Sequence, residues 1–175
     1  LVCSSLNRNS GTMVREKTKM EKMLISGVAA DKNVAKIRVA GLGNDPESTF
    51  RLLNLLDRNN LNIDVMIQSL GKDGTKSVSF TVAKPDMLRT IDVLNDNKDL
   101  LGIKKLDYDE NVAKVSVIGA GVRSHSGVAA KMFGALANAG INTEMVTTSE
   151  IRITALIDEA YADQAMRAIH ETFLE

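Results

Sequence analysis

One segment of the chain occurs twice, and that duplication limits the possible folds more than any other feature. Residues 31–43 read DKNVAKIRVAGLG, and residues 109–121 read DENVAKVSVIGAG. The copies lie 78 residues apart and agree at eight of thirteen positions: Asp31/Asp109, Asn33/Asn111, Val34/Val112, Ala35/Ala113, Lys36/Lys114, Val39/Val117, Gly41/Gly119 and Gly43/Gly121. Agreement of that density at one offset marks a duplicated unit of about 80 residues. Within each copy apolar residues alternate (Ile37 and Val39; Val115 and Val117), the period of a half-buried strand. Each copy ends in Gly-x-Gly and runs into a polar loop and then a helix. Two strands that each deliver a glycine turn to a helix N-terminus imply two related pockets for a small ligand.

The chain has 175 residues, enough for one domain or two small ones, and the repeat decides for two. Lys+Arg and Asp+Glu balance at 22 each and aromatics make up 3%, which argues against a nucleic-acid surface. Cys3 is the only cysteine, so an internal disulfide and a cysteine-built zinc site are excluded, and a reducing cytosol fits. No apolar run approaches the roughly 18 residues of a membrane helix, and no signal peptide is evident. Because the chain begins at Leu1 rather than Met, it is expected to be a piece of a longer protein.

Taken in order, residues 1–20 are polar and turn-rich, and residues 23–29 read as a short strand ahead of the first repeat. The first unit is expected to run strand 34–42, helix 46–59, strands 62–70 and 76–83, a helix opened by Pro85, and strand 102–108. Asp45 before Pro46 is a helix start: a side-chain acceptor for free N–H groups, then a preset φ. The helix stripes are read as Phe50, Leu52, Leu53 and Leu56 in the first helix and Met87, Leu88, Ile91 and Leu94 in the second. This β-α-β-β-α-β order is the ferredoxin-like α+β arrangement. The second unit repeats it as strand 112–119, a helix near 126–139 (Val128, Met132, Ala135, Leu136, Ala139), strands 142–149 and 151–157, and a helix over 160–173 (Ala162, Met166, Ile169, Phe173). It stops one strand short, and the strand at 23–29 is the expected substitute, since an open edge would invite pairing with a partner chain. The expected boundaries are a tail at 1–20, the completing strand at 21–33, a first domain at 34–108 and a second at 109–175.

Several residues carry candidate chemistry. Glycines 41, 43, 119 and 121 permit close backbone approach to a ligand carboxylate at a helix N-terminus, although a plain tight turn explains them as well. The spacing is not the dinucleotide-binding GxGxxG. The second strands open alike, with Asn62-Ile63-Asp64 and Asn142-Thr143-Glu144, and each places an acid at the same register. That acid can receive a ligand ammonium or stand as an exposed charge on an alternating strand. Thr147, Thr148, Ser149 and Glu150 are poor core material unless they face a ligand or another subunit. Ser124-His125-Ser126 lacks the geometry and the supporting acid of a nucleophile–base pair, and His125 and His170 do not make a metal site.

With these residues in view, the chain resembles the regulatory ACT domains of aspartate kinase. The resemblance rests on tandem ferredoxin-like units, on NIDVMIQS (62–69) and NTEMVTTSEIRITALID (142–158), on the SH-x-G loop, and on SSLNRNSGTMV (4–14), similar to the close of that enzyme's kinase domain. It implies two tandem ACT domains that bind end-product L-lysine, L-threonine or both between paired chains. These would restrain a kinase that phosphorylates L-aspartate with MgATP. The catalytic domain lies outside this sequence, so no cofactor is expected within it. Carried over, Ser124, His125, Gly127 and Val128 form the loop over the effector, Ser149 and Glu150 line it, and Asn142, Thr143 and Glu144 lie at the ACT–ACT contact. The corresponding residues of the first unit are Asn44, Asp45, Ile63, Asp64 and Gln68. That loop departs from the family pattern: Asn44 stands where the family has an acid, and Glu47 where it has glycine, so the first unit is expected to be structural or tuned to another effector. The expected partners are a second copy of the chain, through the ACT domains, and the kinase catalytic domain or subunit. Two other readings remain: an ACT sensor that controls a different partner, and a ferredoxin-like interaction module with empty turns.

Overall fold

The computed structural model describes residues 25–120, 122 and 127–174. Its organising feature is a pair of long strands, β1 (Gly27–Leu42) and β4 (Lys105–Ile118), antiparallel along their whole length. Around them lie α1 (Pro46–Arg58), β2 (Met66–Leu70), β3 (Lys76–Ala83), α2 (Met87–Asp96, entered through a 3-10 turn at Lys84–Asp86) and the single turn α3 (Lys98–Leu101). The chain closes with α4 (Val128–Asn138), β5 (Met145–Thr148), β6 (Arg152–Asp158) and α5 (Ala162–Leu174). The six strands form one antiparallel sheet of order β2-β3-β1-β4-β6-β5. The segments read as separate strands at 23–29 and 34–42 are thus one strand, as are those at 102–108 and 112–119.

The repeated Asp-x-Asn explains the continuity. Along the β1–β4 ladder Asp31 faces Lys114, then Val34 faces Val112, then Lys36 faces Asp109, so each strand in turn carries one extra residue. At each bulge the Asn N–H donates to the Asp two residues earlier, Asn33 to Asp31 and Asn111 to Asp109, both at 2.9 Å. A bulge shifts side-chain parity. Before it, Val28 and Ala30 pack against the second unit's helices; after it, Ala35, Ile37 and Val39 pack against the first unit's. One half of the β1–β4 ribbon therefore joins β2 and β3 while the other half joins β5 and β6. Each half makes a four-stranded α+β sheet of ferredoxin-like topology.

Three apolar clusters result. Ile37, Leu52, Leu56, Phe80 and Leu94 fill the first unit, and Val115, Met132, Leu136, Ile157 and Ile169 the second. A smaller third cluster, Val34, Val65, Val112, Met145 and Leu156, lies between the units.

The helix stripes differ in part from the sequence reading. In α1 the buried residues are Ser48, Leu52 and Leu56, while Phe50 is 66% exposed, because at 100° per residue it stands about 200° from Leu52. In α2 the stripe is Met87, Thr90 and Leu94, and Leu88 is 67% exposed for the same reason. Thr90 is satisfied there by donating to the Asp86 carbonyl at 2.7 Å. Regular β2 begins only at Met66. Just before it, Val65 N–H turns to the Thr81 hydroxyl at 3.1 Å rather than to a ladder carbonyl.

Candidate functional site

The two helix N-termini that follow the glycine turns are built differently. At α1, Asp45 caps its own helix, accepting from the N–H groups of Glu47 at 3.0 Å and Ser48 at 2.8 Å. Its carboxylate also takes the Ser48 hydroxyl and, at 3.3 Å, the Arg51 guanidinium. The Ser48 hydroxyl bond leads these contacts in holding the Asp45 carboxyl down at about 2. Lys76 closes the loop by donating to the Asp45 carbonyl at 2.8 Å. Gln68 on β2 accepts from Thr49 of α1 at 2.6 Å, and Asn44 is exposed beside them. Asn44, Asp45 and Gln68 therefore stand at one place, with the acid already engaged by its own loop.

At α4 the N-cap is Gly127, with φ +115°, and it brings no side-chain cap. Val128 is buried against the second core. Ser124 and His125 lie outside the described residues.

The acids singled out on the second strands meet lysines of the opposite unit. Asp64 pairs with Lys114, and Glu144 pairs with Lys36. Lys36 and Lys114 are repeat partners, so the two cross-unit bridges are pseudo-symmetric. Both halves of the signal stood in the sequence, but only the fold brings them together. Lys114 also reaches Asp31 at 3.1 Å, and its side chain is 16% exposed. Burial works against its charge, but the hydrogen bonds and charges of Asp64 and Asp31 outweigh that and hold its pKa above the ordinary lysine range. Burial likewise raises the Asp31 carboxyl, but the Asn33 N–H and Lys114 outweigh it, leaving the pKa lowered. A third cross-unit pair, Lys84–Glu159 at 2.7 Å, stands at the helix entries.

Beside Lys114 opens a cavity of about 340 Å³, lined among others by Asp31, Asp64, Thr147, Ser149 and Arg152. A second, of about 300 Å³, is lined by Ile63, Asp64, Asp86 and Lys114. The structure thus brings Asp64 of the first unit and Ser149 of the second to one opening, with acids and cations side by side. Such a lining suits a zwitterion.

The remaining predicted residues are spread out. Ser149 N–H donates to the Arg152 carbonyl at 2.7 Å and closes the β5–β6 turn, where Glu150 is exposed. Asn142, Thr143 and Glu144 lie at the opposite end of β5, where Glu144 N–H donates to Leu156 at 2.8 Å. Asn142 and Thr143 line a separate cavity of about 430 Å³ with Phe133 and Leu136. Strand β5 is an edge strand, so among the described residues no strand pairs with its outer side.

Comparison with known proteins returns one family repeatedly. The ACT domain model matches residues 115–173. An aspartokinase of Pseudomonas aeruginosa is 36% identical over 175 residues, covering 98% of this chain and 42% of that protein. The chain therefore spans less than half the length of such relatives. A crystal structure of aspartokinase alpha and beta subunits superposes with a TM-score of 0.80 at 42% identity, covering 85% of this chain and 98% of the other. The ligand-free regulatory subunit of aspartate kinase from Thermus thermophilus gives 0.80 at 33% identity, covering 86% and 99%.

Proposed function

This chain belongs to the family of aspartokinase regulatory regions built from paired ACT units, and from that membership we propose that it senses an end-product amino acid on behalf of an aspartate kinase. The observation that carries the reading is the match over 99% of a chain that is itself a regulatory subunit. The effector is L-lysine, with L-threonine as a second candidate. Its binding favours one packing of paired ACT units and so feeds back on phosphoryl transfer from MgATP to the side-chain carboxylate of L-aspartate. That chemistry belongs to a catalytic region on the same polypeptide or on a separate subunit. A single cysteine, in keeping with a reducing compartment, agrees with the cytoplasm.

The two helix N-termini support placing the effector at the second unit. Asp45 already fills the first one, whereas Gly127, the N-cap of the second, brings no side-chain acceptor of its own, which suits a ligand carboxylate. The proposed pocket residues are Ser124, His125, Gly127, Val128, Ser149 and Glu150. Asn142, Thr143 and Glu144 come from the other end of β5, and a second copy running antiparallel along that edge would bring them alongside. This supports a homodimer with a self-complementary interface.

Calorimetry of the chain with L-lysine, then L-threonine, tests the reading, with sedimentation for the dimer. Expected are heat with lysine, its loss in Glu150→Ala, and no threonine heat from the first unit. A folded, dimeric protein that binds neither amino acid would leave a structural module instead.

A further inference from the structure

Within the ion-paired group at Lys114 the charges do not cancel. Asp31 and Asp64 contribute two negative charges, and Lys114 answers with one positive charge. On the pseudo-symmetric side, Lys36 is ion-paired with Glu144, and Asp109 faces it across the ladder. Lys114 is thus shared between two acids, so one of them can take another cation, and the cavity of about 340 Å³ gives that cation a way in. Arg152 lines the same opening, and among the described residues its guanidinium makes no ion pair, so a ligand carboxylate has a partner as well.

We propose that Lys114 is an internal competitor of the effector: its ammonium occupies Asp64, and a ligand ammonium enters by taking Asp64 and leaving Lys114 on Asp31 alone. This opening adjoins the pocket proposed above through Ser149, and the proposal rests on the reading of the chain as an amino-acid sensor. The exchange keeps every charge paired, since two acids then face two cations. It also loosens a bond between the units, because Asp64 belongs to the first and Lys114 to the second half of β4. Ligand entry and relative motion of the two units are thereby linked. Among the described residues the apolar cluster beside the bridge has five buried members with Ile67 against them, small enough for that bond to matter to the fit of the units.

Calorimetry with L-lysine on three folded variants tests it. Lys114→Met frees Asp64 and is expected to tighten lysine binding about fivefold, about 1 kcal/mol for release of a partly exposed ion pair. Lys114→Arg keeps the charge and holds the acids through a planar fork, so binding is expected to weaken. Adding Asp64→Asn to Lys114→Met should abolish the gain. Equal affinity in the unaltered chain and Lys114→Met overturns the competition and leaves the sensor reading intact. A gain that survives Asp64→Asn overturns it as well. Lysine binding to neither protein overturns both readings.

Discussion

Replacing Leu156 by alanine tests whether the two units fold as one body. Leu156 is 2% exposed and packs with Val34, Val65, Val112 and Met145 in the cluster between the units. A buried Leu→Ala costs about 2–5 kcal/mol, depending on how far the site collapses. The cluster is small, and half-buried Ile67 lies beside it and can shift inward. We therefore expect a loss in the lower half of that range, about 3 kcal/mol. With a urea slope of roughly 2 kcal/mol/M the midpoint falls by about 1.5 M. The shared strands β1 and β4 pass through both units, so melting either unit strips pairing from the other. Urea titration followed by circular dichroism, with amide exchange read at both units, should give one transition shifted as a whole. Leu52→Ala, buried wholly in the first unit, should shift that same transition. Two separable transitions, with each variant moving only one, would refute the reasoning, as would a Leu156→Ala loss below about 1 kcal/mol.

Thr81→Val removes the hydroxyl that accepts from the Val65 N–H in a buried setting and is expected to cost about 1–2 kcal/mol, with faster amide exchange at Val65. Gly41 has φ +89°, and a Cβ there would stand 2.5 Å from the Lys104 Cβ and Cγ. Gly41→Ala should therefore lose about 1–3 kcal/mol in a thermal melt. Asp45 has a folded pKa of about 2, below its ordinary 3.8. Its contribution is therefore complete above the higher value and disappears as pH falls through the lower one. Urea midpoints from pH 5 to pH 2 should fall less steeply in Asp45→Asn than in the unaltered chain.

Much of this architecture was legible because the repeat carried it. Eight shared positions set the first strand of each unit, and Asp45-Pro46 placed the start of α1 correctly. The strand continuity was hidden because Asp-x-Asn reads as a turn. Each Asp side chain takes the Asn N–H and absorbs the residue as a bulge, so strands β1 and β4 continue through it. Phe50 and Leu88 are exposed although the sequence places them in the stripes, because apolar residues adjacent to a stripe look like part of it until the 100° step is followed from a fixed core position. At the candidate site, Asp64 and Glu144 stood out by register. Their partners Lys36 and Lys114 also repeated, yet nothing local joins residues 50 and 108 positions apart. The separation of Ser149 and Glu150 from Asn142–Glu144 likewise follows from the length and edge position of β5.

In the proposed function this chain couples an amino acid to a kinase. Its most direct test is L-aspartate phosphorylation from MgATP by the catalytic region assembled with this chain, titrated with L-lysine. The rate is expected to fall with lysine, at a midpoint matching the calorimetric Kd, with a weaker response in Glu150→Ala. A rate indifferent to lysine and threonine alike, with the assembly intact by sedimentation, would contradict it.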